Sequence, residues 1–413
     1  MKEEYLINKI DNIGVTAAEG FKAAGISGGM KNCSKDLAVI CSEYDAVVAG
    51  VFTKNIVQAA PVHLCRYRLS NPIRVIVVNS GNANACTGEQ GRQDAASMVE
   101  KTAACFGVKS EEVMVCSTGV IGVPLPMDKI NAAIEKISDL PGKEEGDDLA
   151  AATAIMTTDT SAKRSACRVL MPNGREFRIG GMAKGSGMIC PNMATMLAFL
   201  TTDVIIERTL LQEIFAEAVE NSFNAITVDG DTSTNDTALL LANGASKIEI
   251  TAGSAVLPCF KDALNRVCRD LALQIVRDGE GITKLLRLTI SGAQDNAGAR
   301  IMARSILNSP LVKTAFYGED ANWGRIIAAL GYAGVDFDPE KVDIFIGPYR
   351  VAKNGGSVPF SEEEMKLYLQ GHDLDILVNL NQGSAEITAW GTDLSHEYIN
   401  INASSLFSVE KQF

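Results

Sequence analysis

Short apolar runs alternate along this chain with segments whose apolar residues recur every three or four positions. Runs of four to seven apolar residues suit buried strands, and the three-to-four-residue period suits helices packed by one face. In the first half these patterns predict strands at 38–41, 46–52, 74–78 and 113–116, and helices at 94–106, 128–138 and about 150–156.

The second half repeats this alternation. One predicted helix carries Leu210, Leu211, Ile214, Phe215 and Ala218 on a single face, and another carries Leu264, Val267, Leu271 and Ile275. Strands are predicted at 195–200, 285–290, 342–346, 374–380 and 385–390, and helices near 299–307 and 362–370. Because no repeat, low-complexity tract or long linker interrupts the pattern, we expect a mixed α/β fold of layered sheets and helices, with interlocking halves.

Composition excludes several functional classes. A net charge of −12 over 413 residues argues against a nucleic-acid partner, because binding to phosphates needs a surplus of Lys and Arg. The 10 cysteines include no CxxC pair and read as reduced, mostly buried side chains of a cytoplasmic protein. We find neither a signal-like leader nor an apolar run of membrane-spanning length, so no membrane association is expected.

A glycine-rich stretch, KGSGMICPNMATMLAFL at 184–200, presents a hydroxyl at the start of an apolar strand. Gly185 and Gly187 permit close backbone approach, so Thr195 could be held in a tight geometry that suits a nucleophile. Read by itself, the stretch more simply indicates a glycine-rich turn that enters a buried strand.

Other polar groups also lie at the predicted ends of strands and helices. STGVIG at 117–122 and TTDT at 157–160 gather hydroxyls, and RDGEG at 277–281 places a carboxylate between glycines. An acidic segment at 229–236 resembles a calcium loop, but Thr234 and Leu240 occupy the places where an EF-hand needs Gly and Glu. We therefore reject an EF-hand.

The chain contains only three histidines, His63, His372 and His396, and none lies beside a nucleophile in sequence. A threonine nucleophile therefore needs another base. Cleavage of the Ala194–Thr195 bond would supply one, because the new α-amino group, with an ordinary pKa of about 7.7–8.0, can accept the hydroxyl proton.

Several uncommon motifs then occur together, and in this order they resemble the ornithine acetyltransferase family of arginine biosynthesis, also called glutamate N-acetyltransferase. The resemblance spans nearly the whole chain. Its motifs are GFKAAG at 20–25, NSGNANACTG at 79–88, STGVIG at 117–122, the stretch at 184–200, DGDTSTND at 229–236 and GEDANWGRI at 318–326.

The resemblance implies a precursor that cuts itself between Ala194 and Thr195. The products would be an α chain, 1–194, and a β chain, 195–413, which build an ornithine acetyltransferase-like fold jointly and assemble as an α2β2 heterotetramer. Thr195 would carry acetyl from N-acetylornithine to glutamate, with acetyl-CoA as a possible further donor and with no metal or other cofactor.

The resemblance also implies the residues of the site. Thr118 and Gly119 would form the oxyanion hole, by a hydroxyl and a backbone N–H. The substrate-binding positions would be Thr158, Lys184, Thr195, Glu280 and Asn402. A lysine suits the substrate α-carboxylate, and a glutamate suits the side-chain ammonium of ornithine.

The carboxyl terminus departs from the family pattern. A Thr or Ser is expected about five residues beyond Asn402, but Phe407 stands there, followed by Ser408 and a further tail. Three alternatives therefore stay open: the same transfer to a changed acceptor, a self-processing amidase or aminopeptidase that uses water as acceptor, and a non-catalytic binding protein.

Overall fold

The computed structural model describes residues 5–32, 34–142, 147–190 and 196–404. Its strands are β1 (Leu6–Ile10), β2 (Phe21–Ile26), β3 (Leu37–Phe52), β4 (Ile73–Asn82), β5 (Val113–Val120), β6 (Lys163–Leu170), β7 (Glu176–Lys184), β8 (Leu197–Thr202), β9 (Ile205–Ile206), β10 (Thr237–Ala242), β11 (Glu249–Ile250), β12 (Leu285–Ala293), β13 (Asp343–Ile346), β14 (Tyr349–Lys353), β15 (Gly356–Ser357), β16 (Asp373–Asn379) and β17 (Ala385–Thr392).

The helices are α1 (Ala60–Tyr67), α2 (Gly88–Phe106), α3 (Met127–Ile137), α4 (Asp147–Ala154), α5 (Arg208–Glu220), α6 (Leu257–Arg277), α7 (Asn296–Leu307), α8 (Pro310–Tyr317), α9 (Trp323–Gly331), α10 (Glu362–Leu369) and α11 (His396–Ser404). This alternation of strands and helices confirms the mixed α/β class predicted from the sequence. No helix in the described ranges is long and apolar enough to cross a membrane.

The larger sheet draws its strands from both sides of residue 195. Within the described residues it has nine strands in the order β1-β6-β7-β8-β10-β3-β4-β5, and β2 also pairs with β3. β8 and β10 lie between β7 and β3, so strands that follow residue 195 are hydrogen-bonded to strands that precede it. β4 and β5 run parallel, which brings their carboxyl ends to one edge.

Alternating side chains of this sheet pack into different cores. In β8, Ala198 and Leu200 join a core with α5 and α6, while Leu197 and Phe199 join a core shared with β3 and β4. The opposite side chains of β4 and β5 pack against α2 and α3. Because strand side chains alternate in direction, these cores define successive layers of helix, strand, strand and helix.

The smaller sheet carries the rest of the chain. Among the described residues it has six strands in the order β15-β14-β13-β16-β12-β17, and α7, α9 and α10 contribute to the core on one of its faces. It is joined to the larger sheet through the segment between α6 and β12. α11 follows its last strand, β17, and returns toward that same segment.

The elements that were predicted differ from the structure chiefly at their boundaries, but nine strands and four helices of the described chain were not predicted. The predicted strands 38–41 and 46–52 form the single strand β3, because the polar residues between them stay extended and the pairing with β4 shifts register there. α2 begins at Gly88, six positions before the predicted start at Asp94. The strand predicted at 195–200 corresponds to β8, which begins at Leu197 within the described residues.

Candidate active site

Two strand ends of the larger sheet place a hydroxyl beside a buried ammonium. Thr118, near the end of β5, and Lys184, the last residue of β7, are each only 2% exposed. The Lys184 Nζ donates to Thr157 Oγ1 at 2.7 Å and to Thr118 Oγ1 at 3.4 Å. The two predicted residues Thr118 and Lys184 therefore lie in direct contact.

Gly119 occupies a position that only glycine fits. Its φ is +133°, and a Cβ built there would lie 2.2 Å from the carbonyl carbon of Gly81 in the neighbouring strand β4. The pairing of β4 and β5 is irregular at this point, where Asn82 lies opposite both Thr118 and Val120. The register shift follows directly after the paired position of Gly81 and Gly119.

The glycine-rich loop after β7 is held by hydrogen bonds from several elements. The Gly185 N–H donates to Asp159 Oδ1 at 2.7 Å, and the Ser186 hydroxyl donates to the carbonyl of Asp278. Farther along, the backbone N–H groups of Met188 and Ile189 donate to the carboxylate of Asp229, at 2.6 and 2.9 Å. A segment that its composition describes as permissive is thus fixed along its described length.

Glu280 lies against this loop, just beyond α6. It is 8% exposed, and a Cβ on Gly187 would lie 2.4 Å from its carboxyl carbon. Asn402 of α11 donates from Nδ2 to Glu280 Oε2 at 2.8 Å. Gly281, with a φ of +64°, lets α11 approach closely, because a Cβ there would lie 2.5 Å from the Tyr398 nitrogen.

The remaining predicted residues are not seen in contact with Lys184 or Glu280 in the described part of the chain. Thr158 is exposed, and the hydroxyl that contacts Lys184 belongs to its neighbour Thr157. Ala194 and Thr195 lie outside the described residues, as do Phe407 and Ser408. The structure thus pairs Thr118 with Lys184 and Glu280 with Asn402.

The chain just after residue 195 is held by a buried carboxyl group. The Met196 N–H donates to Asp236 Oδ1 at 3.0 Å, directly before β8 begins. Asp236 is fully buried, and among the described residues its Oδ2 has no hydrogen-bond partner of good geometry, although the hydroxyls of Ser233 and Thr53 lie near its carboxyl group. Burial raises the pKa of Asp236 well above its ordinary value.

Charges around Lys184 oppose the effect of its burial. Burial lowers the pKa of Lys184, while the carboxylates of Asp159, Asp236 and Glu280 favour its charged form. Asp159 shows the converse balance: burial disfavours its ionisation, but Lys184 and Lys163 together bring its pKa down to about 2. The site therefore holds a buried anion beside a buried cation.

Sequence reasoning missed the acidic residues that support the site. Asp159 lies inside the hydroxyl-rich segment 157–160, where only the hydroxyls drew attention. Asp229 and Asp236 lie in the segment rejected as an EF-hand, and their carboxyl groups accept hydrogen bonds from backbone N–H groups. For Asp159 the available signal was its position just after the predicted helix at about 150–156, where unpaired backbone groups collect. Asp229 and Asp236 lie between predicted helices, and no predicted element end marked them.

A separate groove and the search for metal-binding clusters give no further residues for this site. A groove of about 640 Å³ lies on the smaller sheet and is lined by polar and charged side chains that include Arg287, Asp375 and Trp390, but by none of the predicted site residues. Within the described ranges, no group of three or more His, Cys, Asp or Glu residues is arranged to hold a metal ion.

Comparison with known proteins agrees with the predicted resemblance. The model of the ArgJ family matches residues 22–405. The arginine biosynthesis bifunctional protein ArgJ of Symbiobacterium thermophilum is 49% identical over 396 residues, which are 95% of this chain and 98% of that protein. Its counterpart in Bacillus subtilis strain 168 is 47% identical over 394 residues, 94% of this chain and 96% of that protein.

A solved structure is similar as well. The crystal structure of the arginine biosynthesis bifunctional protein argJ from Bacillus halodurans has 45% sequence identity and a TM-score of 0.49, and the match covers 50% of this chain and 98% of that one. The family model and the two full-length relatives together establish the classification. The chain belongs to the ArgJ family of arginine biosynthesis.

Proposed function

We propose that this protein transfers acetyl from N-acetylornithine to glutamate through an acetyl ester on Thr195. ArgJ family enzymes are acetyltransferases of arginine biosynthesis. In the first half-reaction the Thr195 hydroxyl attacks the acetyl carbonyl, the C–N bond breaks and ornithine leaves with the proton. In the second, the glutamate amine attacks the ester, N-acetylglutamate leaves and the hydroxyl is restored.

The same hydroxyl would first free its own amino terminus. Attack on the Ala194 carbonyl moves the acyl group from nitrogen to oxygen, and water then hydrolyses the ester to leave the Ala194 carboxylate and the Thr195 amine. That amine can act as the base in turnover. Among the described contacts, a His372 ring nitrogen pairs with Asp373 and a His396 ring nitrogen pairs with Tyr317, and neither of these contacts involves a residue of the proposed site.

The contact between Lys184 and Thr118 is the observation that carries the proposal. Because the ammonium has no lone pair, the Thr118 hydroxyl must accept this hydrogen bond, which leaves its own proton free to be donated. The Gly119 N–H would be the second donor. Two donors at one strand end can stabilise the oxyanion of the tetrahedral intermediate, and each is ordinarily worth about 10²–10³ in rate.

Charged groups on either side of this strand end suit the two ends of the substrate. The Lys184 ammonium has three N–H donors, and among the described residues Thr157 and Thr118 accept two of them. The third would bind the α-carboxylate of the substrate. Glu280, oriented by Asn402, would bind the side-chain ammonium of ornithine. Thr158 would complete the binding site from the exposed side of the 157–160 turn.

The chemistry itself requires neither a metal nor a bound cofactor, since acyl transfer through an ester needs a nucleophile, a proton carrier and oxyanion donors. Acetyl-CoA would serve as a second acetyl donor to Thr195, with the CoA thiol leaving in place of ornithine. We place the reaction in the cytoplasm, where the 10 cysteines would remain reduced.

We also propose that the α and β chains stay together after cleavage and pair as α2β2. β8 supports the first part, because it follows the proposed cut and is hydrogen-bonded on one side to β7, which precedes the cut. Light scattering of the cleaved protein tests the second part. A mass equal to one α and one β chain would contradict the tetramer.

Mass spectrometry combined with an acetyl-transfer assay tests the whole scheme. Wild type is expected to give two chains, and incubation with N-acetylornithine should add one acetyl group to the β chain. Thr195→Ala should remain one chain and Thr118→Ala should be cleaved poorly or turn over slowly. If Thr195→Ala is cleaved as completely as wild type, the proposed nucleophile is wrong. If ornithine release is unaffected by glutamate, water is the acceptor and the enzyme is an amidase.

A further inference from the structure

A buried lysine outside the predicted site connects the two sides of that site. Lys163, the first residue of β6, is 0% exposed, and its Nζ contacts Asp159 Oδ1 at 2.7 Å and Asp278 Oδ2 at 2.6 Å. The Asp159 side chain is fully buried and the Asp278 side chain is 9% exposed. Three charges are therefore removed from water together, which is favourable only when their geometry is good.

Asp159 acts on the Lys184 side of the site. Its Oδ1, which contacts Lys163, also accepts the Gly185 N–H at 2.7 Å. Its Oδ2 accepts the Thr157 N–H at 3.0 Å, and Thr157 in turn carries the hydroxyl that contacts the Lys184 Nζ. One carboxylate thus fixes both the backbone that follows Lys184 and the threonine that accepts from its ammonium.

Asp278 acts on the Glu280 side. Its carboxylate accepts the Thr160 N–H at 2.9 Å and also the Thr160 hydroxyl, while its backbone carbonyl accepts the hydroxyl of Ser186. Glu280 lies two residues farther along, where its own N–H points to the carbonyl of Ser186 at 3.4 Å. Asp278 therefore ties the segment that carries Glu280 to residues that precede the proposed cut.

We propose that Lys163 is a positioning residue, whose ammonium joins Asp159 and Asp278 so that Lys184 and Glu280 are held at a fixed separation across the substrate. The proposal rests on the proposed function. Within this bridge, the two positive charges of Lys163 and Lys184 balance the two negative charges of Asp159 and Asp278. Because Asp278 follows residue 195 and Lys163 precedes it, the bridge would also join the two chains after cleavage.

The electrostatic surroundings give the bridge a signature that a merely structural role lacks. The charged groups that act on Lys184 are Asp159, Asp236 and Glu280, which favour its protonation, and Lys163, which opposes it. Lys31, whose ammonium donates to the carbonyl of Met156, also faces this group. Removing the carboxylate of Asp159 should lower the pKa of Lys184, and removing the ammonium of Lys163 should raise it.

The test is the pH profile of kcat/KM for N-acetylornithine, measured with the cleaved enzyme. If substrate binding needs the charged form of Lys184, activity falls on the alkaline side as that group deprotonates. Asp159→Asn should move this alkaline limb to lower pH and Lys163→Met should move it to higher pH, each by about one unit, as expected for a charge at close range. Lys163→Arg should restore the wild-type profile.

Two further variants keep the result interpretable. Lys284→Met removes another buried lysine, one that pairs with Glu319 at 3.0 Å, and should lower the melting temperature without moving the alkaline limb. If Lys163→Met fails to fold, Asp278→Asn tests the other arm. It should raise KM for N-acetylornithine by on the order of tenfold or more while kcat changes less, since misplaced positioning groups are costly.

The proposal would be overturned if Lys163→Met folds and its alkaline limb does not move. It would also be overturned if the alkaline limb moves in the same direction in Lys163→Met and in Asp159→Asn. Unchanged KM in Asp278→Asn would overturn the role of that arm. These outcomes differ from failure of the proposed function, which would appear instead as cleavage or acetylation that survives Thr195→Ala.

Discussion

Replacing Gly119 with alanine tests the proposed oxyanion hole through the backbone. The added Cβ would lie 2.2 Å from the Gly81 carbonyl carbon and 2.5 Å from the Asn82 nitrogen, both of them backbone atoms of β4. Neither can rotate away, so the peptide that carries the Gly119 N–H must move. The Thr118 hydroxyl, its proposed partner, stays in place.

The expected cost has two parts. A non-glycine residue at a φ of +133° is strained by about 1–3 kcal/mol. The backbone collision adds about 1–3 kcal/mol, as overpacking does elsewhere. We therefore expect Gly119→Ala to reduce the free energy of unfolding by about 2–6 kcal/mol, and to reduce kcat by on the order of 10²–10³ through loss of one oxyanion donor.

Gly122 provides a matched control in the same turn. Its φ is +84°, but a Cβ there would meet nothing within 4 Å. Gly122→Ala should therefore cost only the conformational strain, about 1–2 kcal/mol, and leave turnover near wild type. Urea titration and ornithine release measure both quantities. Equal losses of activity in the two variants, or normal kcat in Gly119→Ala, would refute the assignment.

Further predictions concern Glu280 and the acidic groups. Gly187→Ala, whose Cβ would lie 2.4 Å from the Glu280 carboxyl carbon, should raise KM for N-acetylornithine about tenfold or more, whereas Gly253→Ala, which has open space around it, should not. Because the pKa of Asp159 is held at about 2, its contribution to stability is complete above about pH 4 and is lost as pH falls toward 2. Asp159→Asn should therefore show a flatter loss of unfolding free energy in acid than wild type. The pKa of Asp236 is raised by burial, so the folded state binds its proton more tightly and wild-type stability falls as pH rises above about 4. In urea titrations, the free energy of unfolding of Asp236→Asn should therefore increase relative to that of wild type as the pH rises over that range. A difference that does not change with pH would contradict the raised pKa of Asp236.

The sequence predicted the features that local pattern encodes. Seven of the 11 helices of the described chain were predicted, but only eight of its 17 strands, because hydrophobic periodicity shows which faces are buried and is weak over short strands. The residues of the candidate site were named from motifs, and Thr118 with Lys184, and Glu280 with Asn402, prove to be in contact. Their proposed roles remain predictions, and the nucleophile lies outside the described residues.

Pairings between distant segments could not be predicted. No strand was predicted at 163–170, so Lys163 reads in sequence as an ordinary charged residue, and its burial depends on Asp278, 115 positions later. Thr157 and Thr158 are indistinguishable by residue type, yet the turn directs the hydroxyl of Thr157 toward Lys184. Such contacts follow from the order of strands in the sheet, which periodicity does not specify.

The position of the proposed cut fits the way the larger sheet is built. β8 begins two residues after Thr195 and is paired with β7 on one side and with β10 on the other. Breaking one peptide bond before β8 removes none of these hydrogen bonds, and the Met196 N–H keeps its acceptor, Asp236. A new amino terminus would therefore be created next to the start of β8, where Lys184 at the end of β7 is paired with Leu197. Cleavage can then change the chemistry of the site while the packing of the two halves is preserved.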